Sequence, residues 1–325
     1  MRVIARRLFF YLVTAIIAIS LDFLIPRLIP GNPLEAILSK MHGQVSPAVI
    51  RAMEVQLGFN TSGSLWSQYI HYWSNVLHGN LGVSVGNGFF PVTSVIRQAL
   101  PYTLGLVGVA TVISFVLGTA LGAIVAWKRG SRLDSLLPVV TFLQAAPYFF
   151  LAFLVVALFA IKLGWFPSER AANLGDFPAL TWTYISDVLD HAVLPALTIV
   201  LASAAGWIVG MRNLMLTTMD EDYVLIAAAK GLPKPRVIWY AARNAILPSV
   251  SGFALAIGFI VSGSLLTEIV FSYPGLGLLL VQAVNNNDYA LMQGLFLIIT
   301  FAILAANLIA DFVYVFLDPR TRQEA

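Results

Sequence analysis

The stretch 220–248, DEDYVLIAAAKGLPKPRVIWYAARNAILP, is a polar and basic segment between two apolar spans, and its structure decides how the chain is interpreted. Three acids at 220–222 favour a helix N-terminus, so a helix is predicted over 223–230. Gly231 should end that helix, because glycine accepts the left-handed conformation that commonly follows the last helical residue. A second short helix is predicted over 236–246, and Pro248 should mark the turn into the next span.

The predicted helix-turn-helix carries small residues beside its turn, since Ala227, Ala228 and Ala229 precede Lys230 and Gly231. Such a surface lets another protein approach the backbone closely, which indicates a docking element. The alternative is an ordinary loop whose lysines and arginines only set the orientation of the neighbouring spans.

The composition places the chain in a membrane, because 59% of its 325 residues are apolar and only 11% are charged. The formal net charge is +3, and the basic residues lie at the ends of apolar spans, which is not the pattern of a nucleic-acid surface. The chain has no cysteine, which excludes disulfides, thiolate metal sites and a cysteine nucleophile.

Six apolar segments are long enough to cross about 30 Å of hydrocarbon. They lie at about 8–29, 100–127, 136–160, 192–216, 249–271 and 289–317. The first has a basic start but no small-residue cleavage pattern, so it is interpreted as a membrane helix and not as a signal peptide.

The sequence therefore predicts an all-α integral membrane protein with six transmembrane helices. The predicted regions are a transmembrane helix at 1–29, a large extracytoplasmic region at 30–99, five further helices within 100–317 with a cytoplasmic loop at 217–247, and a cytoplasmic tail at 318–325.

The basic residues predict the orientation of these spans. With the N-terminus inside, only six of the 19 lysines and arginines fall on the outer side, namely Arg27, Lys40, Arg51, Arg97, Lys162 and Arg170. The others lie in inner segments, which is the positive-inside bias. Both termini and the loop at 217–247 are therefore predicted to face the cytoplasm.

The central stretch and several others resemble one family of transport proteins. YVLIAAAKGL followed by VIWYAARNAILP is similar to the EAA loop in the membrane subunits of binding-protein-dependent ABC importers of dipeptides and oligopeptides. The segments IPGNP, LHGNLGVS, PVTSVI, FSYPGLG and NNNDYALMQG resemble, in this order, the B-type permease subunit of that family over nearly the whole chain. One departure is the aliphatic pair Leu225 and Ile226, which stands where many importer permeases carry the glutamate of the motif. Any salt bridge from that glutamate is unavailable here.

The resemblance implies a type I ABC importer permease fold in the cytoplasmic membrane of a prokaryote. It also implies a second, homologous permease subunit, two cytoplasmic ABC ATPase subunits that bind ATP and Mg²⁺, and an extracytoplasmic solute-binding protein that delivers peptide. The loop would be the coupling element through which closure of the ATPases switches the paired permeases between inward- and outward-facing states. Its candidate contact residues are Tyr223, Ala227, Ala228, Lys230, Gly231, Leu232, Arg243, Asn244 and Pro248.

The chain lacks the motifs G-x-x-x-x-G-K-[ST], H-E-x-x-H and G-x-S-x-G. It is therefore predicted not to be an enzyme and to hold no cofactor or metal itself. The four histidines, His42, His71, His78 and His191, fall in outer segments. They are interpreted as solvated or interfacial, with metal contact at His71 and His78 as the alternative.

Polar residues within apolar spans are candidates for the translocation path, because an unsatisfied polar group in lipid is costly. The candidates are Gln144, Asn213, Glu268 and Asn307. Asp22 has three open interpretations: a position near the outer interface, a pair with Arg27, or a role in the pathway.

Three further patterns concern packing. Pro147 should kink the third span. Gly206 and Gly210, four residues apart, should mark a close helix contact. An aromatic face that suits the membrane interface or a docked partner is formed by Trp66, Tyr69, Ile70, Trp73 and Leu77.

Two rival functions stay open. The same permease family includes importers of other cargo, such as cello-oligosaccharides or nickel. A secondary transporter driven by an ion gradient through Asp22, Glu268 or Asp311 would carry inverted repeats and charges near the bilayer midplane, neither of which is clear in this sequence. A membrane scaffold without transport would have no use for a structured docking loop.

The topology is tested by labelling single cysteines, for which the native chain offers no background. Ser62→Cys should react with an impermeant thiol reagent from outside, and Ser131→Cys only from inside, because the basic residues favour that orientation. The reverse labelling pattern would refute the six-span arrangement.

Overall fold

The computed structural model describes residues 2–28, 64–173, 181–260 and 265–317. The helices are α1 (Arg2–Leu28), α2 (Leu65–Leu77), α3 (Val92–Trp127), α4 (Leu137–Ala145), α5 (Tyr148–Val155), α6 (Trp182–Met219), α7 (Asp222–Ala229), α8 (Lys234–Phe259), α9 (Leu265–Val270), α10 (Leu276–Asn285) and α11 (Tyr289–Leu317). A 3₁₀ turn at Asp134–Leu136 precedes α4, and a π-helical segment at Val156–Lys162 continues α5. The segment IPGNP, His42, Ser62 and the predicted tail at 318–325 lie outside the described residues.

Four segments of the described chain are long and apolar enough to cross a membrane, namely Arg6–Ile25, Val92–Trp127, Trp182–Met219 and Tyr289–Ile309. The pair Asp134–Ala145 and Tyr148–Lys162 adds a fifth if it forms one broken span. The helical, apolar architecture agrees with the predicted membrane protein. The count of six stays a prediction, because the segment predicted at 249–271 is divided between α8 and α9, and 261–264 lie outside the described residues.

The third predicted span is broken at Pro147 and not merely kinked. Its two halves are bent by 107°. Ala146 and Pro147 both have extended backbone angles, with ψ of 132° and 140°. Because proline lacks an N–H and disfavours helical angles in the residue before it, two consecutive residues leave the helix. The Tyr148 hydroxyl then lies 3.0 Å from Ser203 Oγ on α6.

The second helix of the central stretch is longer than predicted. Pro235 lies in its first turn, and α8 runs for 26 residues and continues through Pro248. The prediction that Pro248 turns the chain into the next span is therefore wrong. Membrane helices tolerate an internal proline because neighbouring helices and side chains can satisfy the backbone group that it frees.

The first compact unit comprises Met1–Tyr102 and Pro274–Ala305, and it contains a small hairpin of strands β1 (Val83–Ser84) and β2 (Phe90–Pro91). The buried carboxylate of Asp288 joins this hairpin to the start of α11. Its Oδ2 accepts hydrogen bonds from Ser84 Oγ at 2.5 Å and from the Gly86 N–H at 2.9 Å, and its Oδ1 accepts from the Leu291 N–H at 3.1 Å. The last bond caps α11. The sequence segments LHGNLGVS and NNNDYALMQG therefore meet at one carboxylate.

Two tyrosines of α2 bind α1 within this unit. Tyr69 Oη lies 2.7 Å from Ser20 Oγ, and the Tyr72 hydroxyl donates to Asp22 Oδ2 at 2.8 Å. The Phe23 ring contacts both tyrosine rings, at centroid distances of 5.3 and 5.6 Å. Burial raises the pKa of Tyr72, so its hydroxyl keeps the proton that it donates.

Asp22 is not the partner of Arg27, so that interpretation is wrong. The Asp22 carboxylate is buried against Tyr72. The Arg27 guanidinium instead donates to the Phe23 carbonyl at 2.6 Å and lies 3.6 Å from the centroid of the Phe23 ring. A cation over an aromatic face is itself a favourable arrangement.

The second compact unit comprises Thr103–Tyr273 and Ala306–Glu324, and α6 is its central helix. The side chain of Thr181 caps α6 by accepting from the Tyr184 N–H at 3.4 Å. α6 packs against α4, α5, α7, α8 and α9. Each of these elements is thus positioned by one 38-residue helix.

Glycines of α3 allow this helix to approach α6 closely. A Cβ at Gly118 would collide with Trp207 and lie 2.9 Å from the Ala204 carbonyl oxygen, and a Cβ at Gly122 would lie 2.5 Å from the Ile208 carbonyl oxygen. No hydrophobic force drives two helices together in lipid. Their association therefore depends on close packing, which small residues such as glycine allow.

A close helix contact was predicted at Gly206 and Gly210, but the structure has it at Gly118 and Gly122. A Cβ at Gly206 would be 3.9 Å from Gln144 Nε2, and none of the described atoms lies within 4 Å of a Cβ at Gly210. Four-residue spacing identifies a face of small residues, but it does not tell which such face is in contact.

Gly118→Ala should lower the thermal midpoint of the chain in detergent, because forcing a methyl group into a tight contact costs about 1–3 kcal/mol. Gly105→Ala is the matched control on the same helix, since a Cβ there meets none of the described atoms within 4 Å. It should leave the midpoint unchanged or raise it, because alanine is the better helix former. Equal midpoints for both variants would contradict the close packing of α3 on α6.

Candidate functional site

The turn after α7 closes as a Schellman motif. The Leu232 N–H donates to the Ala227 carbonyl at 3.4 Å and the Gly231 N–H to the Ala228 carbonyl at 3.0 Å. Gly231 has φ +75°, the left-handed conformation predicted from the sequence. None of the described atoms lies within 4 Å of a Cβ built at Gly231, so backbone conformation and not space favours glycine here. The predicted helix and its stop are confirmed to within one residue at each end.

The hairpin of α7 and α8 is held on α3 and α6 by a small apolar core, which we call the hairpin core. Its buried members are Ala126, Met211, Met215, Val224, Ala241 and Ala245. Val224 is the buried residue of α7. The alanines at 241 and 245 are one turn apart, so a single smooth face of α8 packs here. The hairpin is therefore fixed to two membrane helices by methyl groups and methionines, without charge.

The opposite side of the hairpin exposes large apolar side chains. Tyr223, Leu225 and Ile226 on α7 are 42%, 54% and 54% exposed, and Trp239 at the start of α8 is 66% exposed. Lys230, Lys234 and Arg236 are exposed close to the turn, and Arg243 is exposed further along α8. Exposed apolar surface within a polar, basic loop is typical of a protein-binding site.

The remaining predicted contact residues lie in two separate regions of the hairpin. Ala228 is exposed on α7, and Ala227 and Leu232 are half-buried at the turn. Arg243 and Asn244 are exposed on α8, two to three turns beyond the turn, and Asn244 Nδ2 donates to the Tyr240 carbonyl at 3.0 Å. Pro248 is exposed one turn further along the same helix. The residues from 223 to 232 are therefore close together, while 243–248 form a separate stretch.

An ion pair that the sequence did not predict lies next to the hairpin core. Arg212 Nη2 on α6 lies 3.1 Å from Asp134 Oδ1, and Asp134 Oδ2 accepts from the Gly130 N–H at 2.9 Å. This contact joins the loop after α3 to α6. Arg212 and Asp134 are 78 residues apart in the sequence. The charge of Arg212 predicted only that it lies on the cytoplasmic side of the membrane, and it did not indicate a partner.

The four predicted path residues lie on four different helices of the second unit. Gln144 on α4 and Asn213 on α6 are exposed, and Asn307 on α11 is half-buried. Glu268 on α9 is 0% exposed, and its Oε1 accepts from Thr103 Oγ1 at 2.9 Å. Their part in transport stays a prediction.

The described histidines differ in environment. His71 and His78 are exposed, and His78 Nδ1 lies 2.7 Å from the Ser74 carbonyl oxygen. His191 is buried on α6, with Nδ1 2.9 Å from the Asp187 carbonyl oxygen. His191 is therefore not solvated, because it is packed within α6 and does not lie in an outer loop. Its depth relative to the membrane interface stays a prediction.

Comparison with known proteins agrees with this architecture. The family model described as binding-protein-dependent transport system inner membrane component matches residues 118–323. The chain is 30% identical over 302 residues to the oligopeptide transport system permease protein AppB of Bacillus subtilis (strain 168), covering 92% of each chain.

Two further relatives align over almost their whole length. The di/tripeptide transport system permease protein DppB of Pseudomonas aeruginosa (strain UCBPP-PA14) is 33% identical over 339 residues, covering 99% of this chain and 98% of the relative. The dipeptide transport system permease protein DppB of Alkalihalophilus pseudofirmus is 31% identical over 338 residues, covering 98% of both. The chain belongs to the family of inner membrane components of binding-protein-dependent transport systems.

Proposed function

We propose that this chain is one of two permease subunits in an ATP-driven importer of dipeptides or oligopeptides. It crosses the cytoplasmic membrane of a prokaryote six times with both termini inside, and 30–99 form its main extracytoplasmic region. A homologous permease subunit completes the path, two ATPase subunits bind and hydrolyse ATP, and a solute-binding protein delivers the cargo.

One observation carries the proposal: an apolar, exposed helical hairpin is fixed on transmembrane helices of a chain that belongs to this family. Leu225 and Ile226 stand where the loop motif often has glutamate, and both are exposed. A partner groove would therefore contact these positions through apolar packing and would gain specificity from the surrounding lysines and arginines.

The mounting of the hairpin suggests how the coupling works. A force applied to α7 reaches α8 through the closed turn at Gly231, and it reaches α3 and α6 through the hairpin core. Closure of the two ATPases would draw the hairpins of the paired permeases together and change the orientation of these helices. This chain supplies leverage and a path, and it carries out no covalent chemistry.

Peptide cargo is proposed because AppB and both DppB relatives are named as oligopeptide, di/tripeptide and dipeptide permeases. We place Gln144 and Asn213 along the path, since both are exposed amide side chains on apolar helices. We also assign Glu268 and Asn307 to this path, because we propose that α9 and α11, the helices that carry them, line it. Amide groups can exchange hydrogen bonds with the backbone of a passing peptide without binding it as tightly as a fixed charge.

Gly231→Val tests the coupling role. A β-branched residue in the left-handed conformation costs on the order of 1–2 kcal/mol, and it adds bulk at the docking surface. The variant should reach the membrane at normal levels, since the hairpin core and the membrane spans are untouched. Peptide uptake by cells should be lost, together with ATPase binding or the stimulation of ATP hydrolysis by cargo-loaded binding protein.

Gly164→Val is the matched control, because Gly164 also has positive φ (63°) and open space around its Cβ, but lies in a segment predicted to be outside. It should carry the same backbone strain and still support uptake. Normal uptake and cargo-stimulated hydrolysis in Gly231→Val would rule out the hairpin as the coupling element.

A further inference from the structure

Helix α2 has three distinct sides. Tyr69, Tyr72 and Val76 are half-buried, and the two tyrosines contact α1. Ser67, His71 and Ser74 form an exposed polar side. The third side is apolar: Trp66, Ile70 and Leu77 are 68%, 52% and 76% exposed, and Trp73 lies among them at helical spacing.

The composition of α2 is unusual for a helix in water. Its sequence, LWSQYIHYWSNVL, contains no lysine, arginine, aspartate or glutamate. A solvated helix normally carries charges on its exposed side, whereas tryptophan and tyrosine are enriched where a membrane meets water.

The contacts between α2 and α1 show at which level along α1 the helix α2 lies. Gln68, Tyr69 and Tyr72 of α2 contact α1, and their partners there are Ser20, Asp22, Phe23 and Arg27. Ser20 lies five residues before the end of the apolar segment Arg6–Ile25, which is roughly 8 Å of helix. Interfacial helices bury their apolar side about 5–10 Å into the boundary of the bilayer.

Helix α1 also exposes apolar side chains at the end that α2 contacts. At the same end of α1, Leu21, Leu24 and Ile25 are exposed, and α1 is long and apolar enough to span the membrane. Both α1 and α2 thus present exposed apolar side chains.

We propose that α2 is an interfacial membrane helix, which lies in the headgroup region of the bilayer with Trp66, Ile70, Trp73 and Leu77 toward the acyl chains. The hydrogen bonds of Tyr69 to Ser20 and of Tyr72 to Asp22 hold it at that depth. Its polar side faces water. The bilayer thereby fixes α2 within the extracytoplasmic region, independently of what the transporter carries.

The test uses nitroxide labels on single cysteines, since the native chain contains none. Ile70→Cys and His71→Cys are adjacent and differ by about 100° around the helix, so they are matched except for the side they occupy. Ile17→Cys on the exposed surface of α1 is the lipid-facing reference. The full-length chain, with whatever subunits co-purify, is placed in nanodiscs of phosphatidylethanolamine and phosphatidylglycerol. Collision rates are measured with oxygen, which concentrates in lipid, and with a nickel chelate, which stays in water.

The ratio of oxygen to nickel collisions at position 70 should approach that at position 17 and exceed that at position 71 several-fold. Equal, nickel-dominated rates at 70 and 71 would overturn the proposal, because α2 would then be surrounded by water. An immobile label at 70 that neither reagent reaches would also overturn it, because a protein surface would then cover this side.

Discussion

The attachment of the α7–α8 hairpin to α6 is the contact on which the functional architecture of this chain depends. It is made by small and flexible apolar groups: alanines on α8 and α3, methionines on α6 and one valine from α7. Alanines allow the backbones to approach, and methionine fills the irregular space that remains. A hairpin attached by exposed ion pairs would move independently of the membrane helices, because such pairs contribute little energy. A packed core transmits displacement, since close-packed interiors have low compressibility.

The local features of the hairpin could be predicted from the sequence because they depend on neighbours in the chain. Gly231 ends a helix by accepting positive φ, and the acids at 220–222 precede the helix start, so short-range chemistry fixes α7 to within a residue. The prediction of a helix end at Pro248 was wrong because of the membrane environment. Proline is a strong signal for a helix end in water, but α8 continues through it, because in a membrane protein the surrounding helices can compensate for the lost hydrogen bond.

Contacts between distant segments could not be predicted in this way. Asp288 binds Ser84 across 204 residues, and Arg212 binds Asp134 across 78. A lone acid or base in a sequence gives a charge but no partner. The glycine pairs show the same limit: 118 and 122 have the same spacing as 206 and 210, yet only the first pair meets another backbone in the described chain. Asp22 likewise carries a charge that suggested Arg27, while its actual partner, Tyr72, is 50 residues away. The resemblance to a family supplied the function where local chemistry could not, because the segments that carry it are spread over the whole chain.

The role of the hairpin is tested most directly by identifying the protein that lies against it in cells. A photoreactive benzoylphenylalanine placed at Tyr223, an exposed aromatic position on α7, should crosslink to an ATPase subunit upon irradiation. The same residue at Trp165, which is also exposed but is predicted to be outside, should give no such product. An ATPase crosslink at Trp165 and none at Tyr223 would contradict both the orientation of the chain and the role of the hairpin.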